Sequence, residues 1–287
     1  MEEELISKIR GDIMFLLFDI GGTNMRIAVS EGGKEIDASK SVLTPQDFVE
    51  GMRICEKIAK ELVGEEHIEA IAGGIAGTLD KEHMVLLRSP HMPGWVEKPL
   101  KKELGEMFGV PVYLENDAAL AGLGEASMGA ARGYDIAAYI TVSTGVGGVR
   151  IVDGAIDRNA MGFEIGHQVI NYDDKARTLE ECVSGSGFLR RFGKLPQDIA
   201  DQAVWEEAAR LLAVGLHNTI LHWSPEVLVL GGPLILQSPF PFDVFSKHFN
   251  ESVYSVLACV PEIKKVELGE KSGLYGALAF LYLKHGT

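Results

Sequence analysis

Apolar residues in this chain gather in short continuous runs, and longer stretches between them repeat apolar positions at helical spacing. Ile13 to Asp19 predicts a buried strand and Met25 to Ser30 its antiparallel partner. Glu31-Gly32-Gly33-Lys34 then turns into a third short strand. Thr44 followed by Pro45 has the signature of a helix N-cap and first helical residue. Phe48, Met52, Cys55, Ile58, Ala59 and Leu62 continue that helix at a period near four. His67 to Gly74 predicts a strand, Lys98 to Phe108 a helix, Val110 to Glu115 a strand, and Asn116 to about Met128 a helix.

The pattern then starts again. Ile136 to Val142 predicts a buried strand, Val149 to Asp153 its return, and Gly154-Ala155 a turn. Asp174 to Phe192 has helical spacing interrupted at Gly185 and Gly187. Asp198 to Leu221 is the longest helical pattern. Val227 to Leu230 predicts a short buried strand, Phe242 to Leu257 a helix, Ile263 to Leu268 a strand, and Lys271 to Leu283 a closing helix. Strands alternating with helices in two successive sets predict an α/β protein of two lobes with a cleft between them. The boundary is expected at 116/117. Residues 1–116 form a smaller lobe, 117–271 a larger one, and the closing helix at about 272–287 packs back on the first.

Composition narrows the function. A chain of 287 residues with 46% hydrophobic content can bury a sizeable core and exceeds the usual size of a single one. The net charge of −14 argues against a nucleic-acid surface, which needs clustered Lys and Arg. Cys55, Cys182 and Cys259 lie far apart, so neither a disulfide framework nor a Cys-x-x-Cys zinc site is expected. No apolar run reaches membrane-spanning length, and Met1-Glu2-Glu3-Glu4 lacks the basic start of a signal peptide. A cytoplasmic protein is expected.

Both strand pairs are joined by glycine turns. The first is Asp19-Ile20-Gly21-Gly22-Thr23-Asn24 and the second Ser143-Thr144-Gly145-Val146-Gly147-Gly148. Tips without side chains admit phosphate oxygens to backbone N–H groups. Alone, either turn reads as an ordinary hairpin; paired, they predict one polyphosphate gripped by a duplicated fold. Asp19 ends a buried strand and is placed to hold Mg2+ through water. Thr23 and Asn24 offer further phosphate contacts, and Arg26 follows on the returning strand.

Glu115-Asn116-Asp117 lies at a strand-to-helix boundary. Asn116 reads as a helix cap, and Asp117 as a general base for an alcohol attacking a γ-phosphate. Glu164-Ile165-Gly166-His167 pairs a carboxylate with an imidazole, lacks the spacing of a zinc site, and suits sugar hydroxyls. In Ser89-Pro90-His91-Met92-Pro93-Gly94-Trp95, His91 is a ligand candidate and Trp95 reads better as packing. Gly231-Gly232-Pro233 ends a buried strand where an adenine ring could approach the backbone.

In this order the motifs resemble the ROK family of sugar kinases, over about Phe15 to Phe280. The resemblance implies a two-lobed actin-like (ribonuclease H-like) ATPase fold with an interlobe cleft. It implies ATP at Asp19, Gly21, Gly22, Thr23, Asn24, Ser143, Thr144, Gly145, Gly147, Gly231 and Gly232. It implies sugar at Gly77, Thr78, His91, Asn116, Asp117, Glu164 and His167, with Asp117 as catalytic base. Most ROK proteins carry a cysteine-rich zinc segment after Glu-x-Gly-His. Here Thr178 to Gly187 resembles zinc-free glucokinases instead, so structural zinc is not expected, and Glu180 or Glu181 is left to contact the sugar. His91 stands where Asn is usual, and Pro233 replaces a third glycine. No helix-turn-helix precedes Asp19, which disfavours the family's repressor branch.

The expected activity is ATP- and Mg2+-dependent phosphorylation of a hexose, glucose first, by a protein that closes on its sugar. Family resemblance makes a homodimer a candidate. The alternatives are a kinase for an N-acetylhexosamine, mannose or fructose, and a non-catalytic sugar sensor.

Overall fold

The computed structural model describes residues 13–171, 176–254 and 260–285. Cys259 and the first residues Met1 to Glu4 lie outside them, as do 172–175 and 255–259, where parts of two expected helices fall. Clustering of contacts divides the chain into two units. The first holds the chain through Met128, Arg158–Gly162 and the residues from Glu270; the second holds Gly129–Asp157 and Phe163–Gly269.

In the first unit β1 (Met14–Ile20), β2 (Asn24–Glu31) and β3 (Ala38–Leu43) form an antiparallel meander. Helix α1 (Phe48–Val63) follows, then β4 (Ile68–Ile75), parallel to β1. A small hairpin, β5 (Thr78–Leu79) and β6 (Leu86–Arg88), precedes α2 (Leu100–Phe108), β7 (Val112–Asn116) and α3 (Asp117–Met128). β7 lies parallel to β4, so the sheet order is β3-β2-β1-β4-β7. The second unit repeats this plan. β8 (Ile136–Val142), β9 (Val146–Val152) and β10 (Ala155–Ile156) form the meander. A small pair, β11 (Val169–Asn171) and β12 (Arg177–Thr178), leads to α4 (Leu179–Val183), α5 (Gly185–Phe192) and α6 (Gln202–Trp223). Then come β13 (Val227–Gly231), α7 (Pro233–Leu236), α8 (Phe242–Tyr254) and β14 (Glu262–Lys265), giving the order β10-β9-β8-β13-β14. Two sheets of identical order and strand sense are the duplication that the paired glycine turns implied.

Each unit has its own core. Leu16, Phe18, Met25, Ile27, Met52 and Ile71 centre the first; Ile140, Phe188, Trp205, Leu212, Leu230 and Phe245 centre the second. The closing helix α9 (Ser272–His285) packs on α3 and over β4 and β1 in the first unit. Its backbone meets α3 so closely that a Cβ on Gly276 would lie 1.7 Å from the Leu120 carbonyl oxygen. Buried Glu125 of α3 accepts the Ser272 hydroxyl at 2.7 Å in the same seam. That seam carries α3 into the first unit. The contact boundary therefore falls after Met128, rather than at 116/117 where the sequence pattern changes.

Two local expectations are corrected. Helix α1 starts at Phe48, because the Asp47 side chain accepts the Glu50 N–H, while Thr44 donates its hydroxyl to the Gly21 carbonyl at 2.6 Å. Among the described residues the helical stretch expected over 174–192 starts only at Leu179, after β12, and its expected interruption at Gly185 falls at Ser184, whose side chain caps the second helix by accepting the Gly187 N–H. Among the described residues no helix is long and apolar enough to cross a membrane.

Candidate active site

The register of the first sheet assembles the acidic centre. Asp19 lies opposite Arg26 on β2 and beside Gly74 on β4, and Gly74 in turn pairs with Glu115 on β7. One residue further along, Ile75 pairs with Asn116, and Asp117 opens α3. A Cβ on Gly74 would stand 2.9 Å from the Asp117 Cα, so glycine lets the helix start sit directly on β4. Asp19 and Asp117 are brought near enough for one charge to act on the other. Burial, with Asp19's charge adding to it, pushes the Asp117 carboxyl up to about 7. Burial also raises Asp19, to about 6, against the pull of Arg26 at 3.4 Å. Arg26 in turn reaches Glu270 at 3.3 Å, ahead of α9.

Asn116 caps α3, its Oδ1 accepting the Ala119 N–H at 3.0 Å, and its Nδ2 donates to the Gly77 carbonyl at 3.0 Å. Gly77 is in the left-handed region at φ +132°, and a Cβ there would lie 2.2 Å from the Arg88 carbonyl oxygen. Thr78 follows it at the start of β5. These residues, with Asp19 and Asp117, form one cluster in the first unit. His91 lies over the first glycine turn, where a Cβ on Gly22 would be 2.5 Å from its own Cβ. Gly21 and Asn24 close that turn, the Gly21 N–H donating to the Asn24 carbonyl at 2.9 Å, and Thr23 is exposed at its tip. Trp95 is buried and donates to the Pro45 carbonyl at 2.8 Å, so its role is packing.

In the second unit the Ser143 N–H donates to the Gly145 carbonyl, closing the second turn ahead of Gly147 on β9. The Gly185 and Ser186 N–H groups donate to the Ser143 and Thr144 carbonyls, tying the turn to α5. Gly231 and Gly232 lie against β8. A Cβ on Gly232 (φ +91°) would be 2.2 Å from the Val142 carbonyl oxygen, and Pro233 opens α7. Glu164 and His167 flank a helical turn, half exposed and 3.7 Å apart. A Cβ on Gly166 would meet the Val146 carbonyl oxygen at 2.3 Å, so this turn packs on the strand leaving the glycine tip.

The two glutamates offered for sugar contact have work inside the unit. Glu180 Oε2 accepts the Val146 N–H at 3.0 Å, and Glu181 Oε2 accepts the Thr178 N–H at 2.9 Å in a capping box. The glycines at both tips thus make room for side chains of the protein itself, His91 at Gly22 and Glu180 at Gly145. Sequence reasoning explained them by phosphate approach alone. It also left Arg26 open. The signal was available: a hairpin centred between Ile20 and Met25 sets Arg26 directly across from Asp19, on the same face.

The two partly buried carboxyls supply oxygen ligands of the kind a divalent cation takes, while the Arg26 guanidinium, 3.4 Å from Asp19, is no ligand and opposes direct contact of a cation with that carboxylate. Among the described residues no three His, Cys, Asp or Glu side chains gather to hold a metal by themselves. Water-mediated Mg2+ at Asp19 is compatible with both observations.

The ROK family model matches residues 16–284. A glucokinase of Thermotoga maritima is 34% identical over 92% of this chain and 95% of its own. An N-acetyl-D-glucosamine kinase of Escherichia coli is 28% identical over 94% of this chain and 99% of its own. Among solved structures, a ROK hexokinase from Thermus thermophilus superposes with a TM-score of 0.80 at 28% identity, covering 95% of this chain and all of that one (100%).

Proposed function

The chain belongs to the ROK family, and from that premise we propose that it is an ATP-dependent sugar kinase whose first acceptor is glucose. The observation that carries the reading is Asp117: a carboxyl at a helix start, beside Asn116, with its pKa pushed up to about 7. A base with that value can both hold and release a proton near neutral pH. In the proposed reaction Asp117 accepts the proton of the sugar hydroxyl as its oxygen bonds to the γ-phosphorus. The bond from that phosphorus to the bridging oxygen breaks, and its electron pair leaves on ADP. Asn116 and Gly77 orient the hydroxyl, and Glu164 and His167 are candidates for the remaining sugar hydroxyls. The glycine turns at 19–24 and 143–148 and the pair Gly231-Gly232 are the proposed nucleotide elements. Mg2+, positioned by Asp19 through water, would supply neutralisation of the phosphate charge. Positioning and charge neutralisation supply most of the acceleration in phosphoryl transfer.

Glucose is supported by the likeness to the Thermotoga glucokinase. An N-acetylhexosamine is the second reading, supported by the likeness to the Escherichia coli enzyme. ADP release measured over glucose, mannose, fructose, N-acetylglucosamine and N-acetylmannosamine, each with ATP, ADP or polyphosphate as donor, separates the two. Asp117→Asn in the same assay should abolish turnover while sugar binding by calorimetry persists; near-normal turnover in that variant would end the base assignment.

A further inference from the structure

The turn between β5 and β6 carries a histidine that the proposed chemistry does not use. His83 adopts a left-handed backbone (φ 53°), which a non-glycine residue holds only where its surroundings fix it. The turn is fastened locally, with the His83 N–H donating to the Asp80 carbonyl at 2.9 Å. Asp80 Oδ1 accepts the Met84 and Val85 N–H groups at 2.6 and 2.9 Å. The His83 ring reaches the other way, to the end of β7. Its Nδ1 lies 3.1 Å from the Leu114 carbonyl oxygen and 3.3 Å from Glu115 Oε2. Both partners are acceptors, so Nδ1 carries a proton and donates. The other oxygen of Glu115 accepts the Asn116 N–H at 2.8 Å. The peptide leading into Asp117 is therefore held through Glu115 by a side chain from a separate loop. Glu115 is only 13% exposed, so its interactions are little screened.

We propose that His83 is a positioning residue: through Glu115 it fixes the Asn116–Asp117 backbone and so the aim of the Asp117 carboxyl. This rests on the reading of Asp117 as the base. The left-handed φ allows the donor to be tested apart from the backbone. His83→Gly keeps the conformation and removes the donor, and His83→Asn tolerates the conformation and returns an N–H near the position of Nδ1. With glucose and ATP, His83→Gly should lower kcat about tenfold, as a small misplacement of a catalytic group does. Its glucose Kd by calorimetry and its Tm should stay near the parent's. His83→Asn should recover most of the lost kcat. A parental kcat in His83→Gly, or equal losses in both variants, would overturn the proposal. Should His83→Gly not fold, Glu115→Gln carries the test, because the neutral amide weakens the hold of His83. The same loss of kcat is expected there, and unchanged kcat refutes the proposal. Asp117→Asn run alongside separates the two ideas. If it retains turnover, the base reading fails; if it is dead while His83→Gly is fully active, only the role of His83 fails.

Discussion

Glu180 Oε2 accepts the N–H of Val146, the residue that leaves the second glycine tip, at 3.0 Å, and fills the space that a Gly145 side chain would need. A carboxylate used in this way shapes the turn proposed to hold phosphate, whereas the family resemblance assigns a glutamate here to the sugar. Removing it leaves the N–H of buried Val146 without its acceptor, a loss of about 1.5 kcal/mol, or roughly tenfold in an equilibrium. Glu180→Ala should therefore raise KM for ATP by about that factor and leave KM for the sugar nearly constant. Glu180→Gln, which keeps an acceptor, should fall between. A rise confined to the sugar KM would return Glu180 to the sugar.

Gly74 gives the acidic centre its close packing. A methyl group there would press on the Asp117 Cα at 2.9 Å and the Leu120 side chain at 3.3 Å, so the start of α3 must move. Gly74→Ala should destabilise the protein by about 1–3 kcal/mol, the usual cost of overpacking. It should also reduce kcat by about ten- to a hundredfold, because the carboxyl is displaced along with the helix. Urea midpoints and initial rates on the same preparation test this; a lower midpoint with full kcat would mean that α3 yields without moving Asp117.

Much of this was legible in the chain because the signals are local. Apolar runs marked β1, β4, β8 and β13, the 3.6-residue spacing marked α1 and α6, and the two glycine turns marked the duplication. Three features were not legible, each because a partner distant in sequence decides it. Thr44 carries an N-cap signature, yet its hydroxyl goes to Gly21 and Asp47 caps α1 instead. The assignment of α3 to the first unit depends on its seam with α9, formed far along the chain. The roles of Glu180 and His83 depend on backbone groups 34 and 31 residues away, which no spacing rule reaches.

That seam makes its own prediction. A Cβ on Gly276 would stand 1.7 Å from the Leu120 carbonyl oxygen, and one on Gly124 would stand 2.2 Å from the Ser272 carbonyl oxygen. Backbone cannot swing aside as a side-chain tip can. Either alanine variant should cost more than about 3 kcal/mol, at the upper end for overpacking. Gly109→Ala makes the control. Its φ is +70° with open space around the missing Cβ, so only the left-handed penalty of about 1 kcal/mol should appear. Equal losses at Gly276 and Gly109 would contradict the close helix contact.

A base accepts a proton only when ionised, and Asp117 is pushed up to about 7, so kcat/KM should fall as pH drops through about 7. Stability should move in the opposite direction. Asp19 and Asp117 both have folded pKa values above the ordinary 3.8, so the folded state binds protons more readily than the unfolded one. These two groups therefore make the protein more stable as pH falls from above 7 toward 4, and the gain is complete below the unfolded value. Asp19→Asn removes the charge that adds to the burial of Asp117, and should shift Asp117's titration to lower pH. Burial is the larger cause, so the value should remain above 3.8. Carboxyl carbon chemical shifts followed by NMR in the ligand-free protein read this directly, independent of any effect of Asp19 on Mg2+. An unchanged Asp117 midpoint in Asp19→Asn would mean that the two carboxyls do not sense each other, and the raised value would then rest on burial alone.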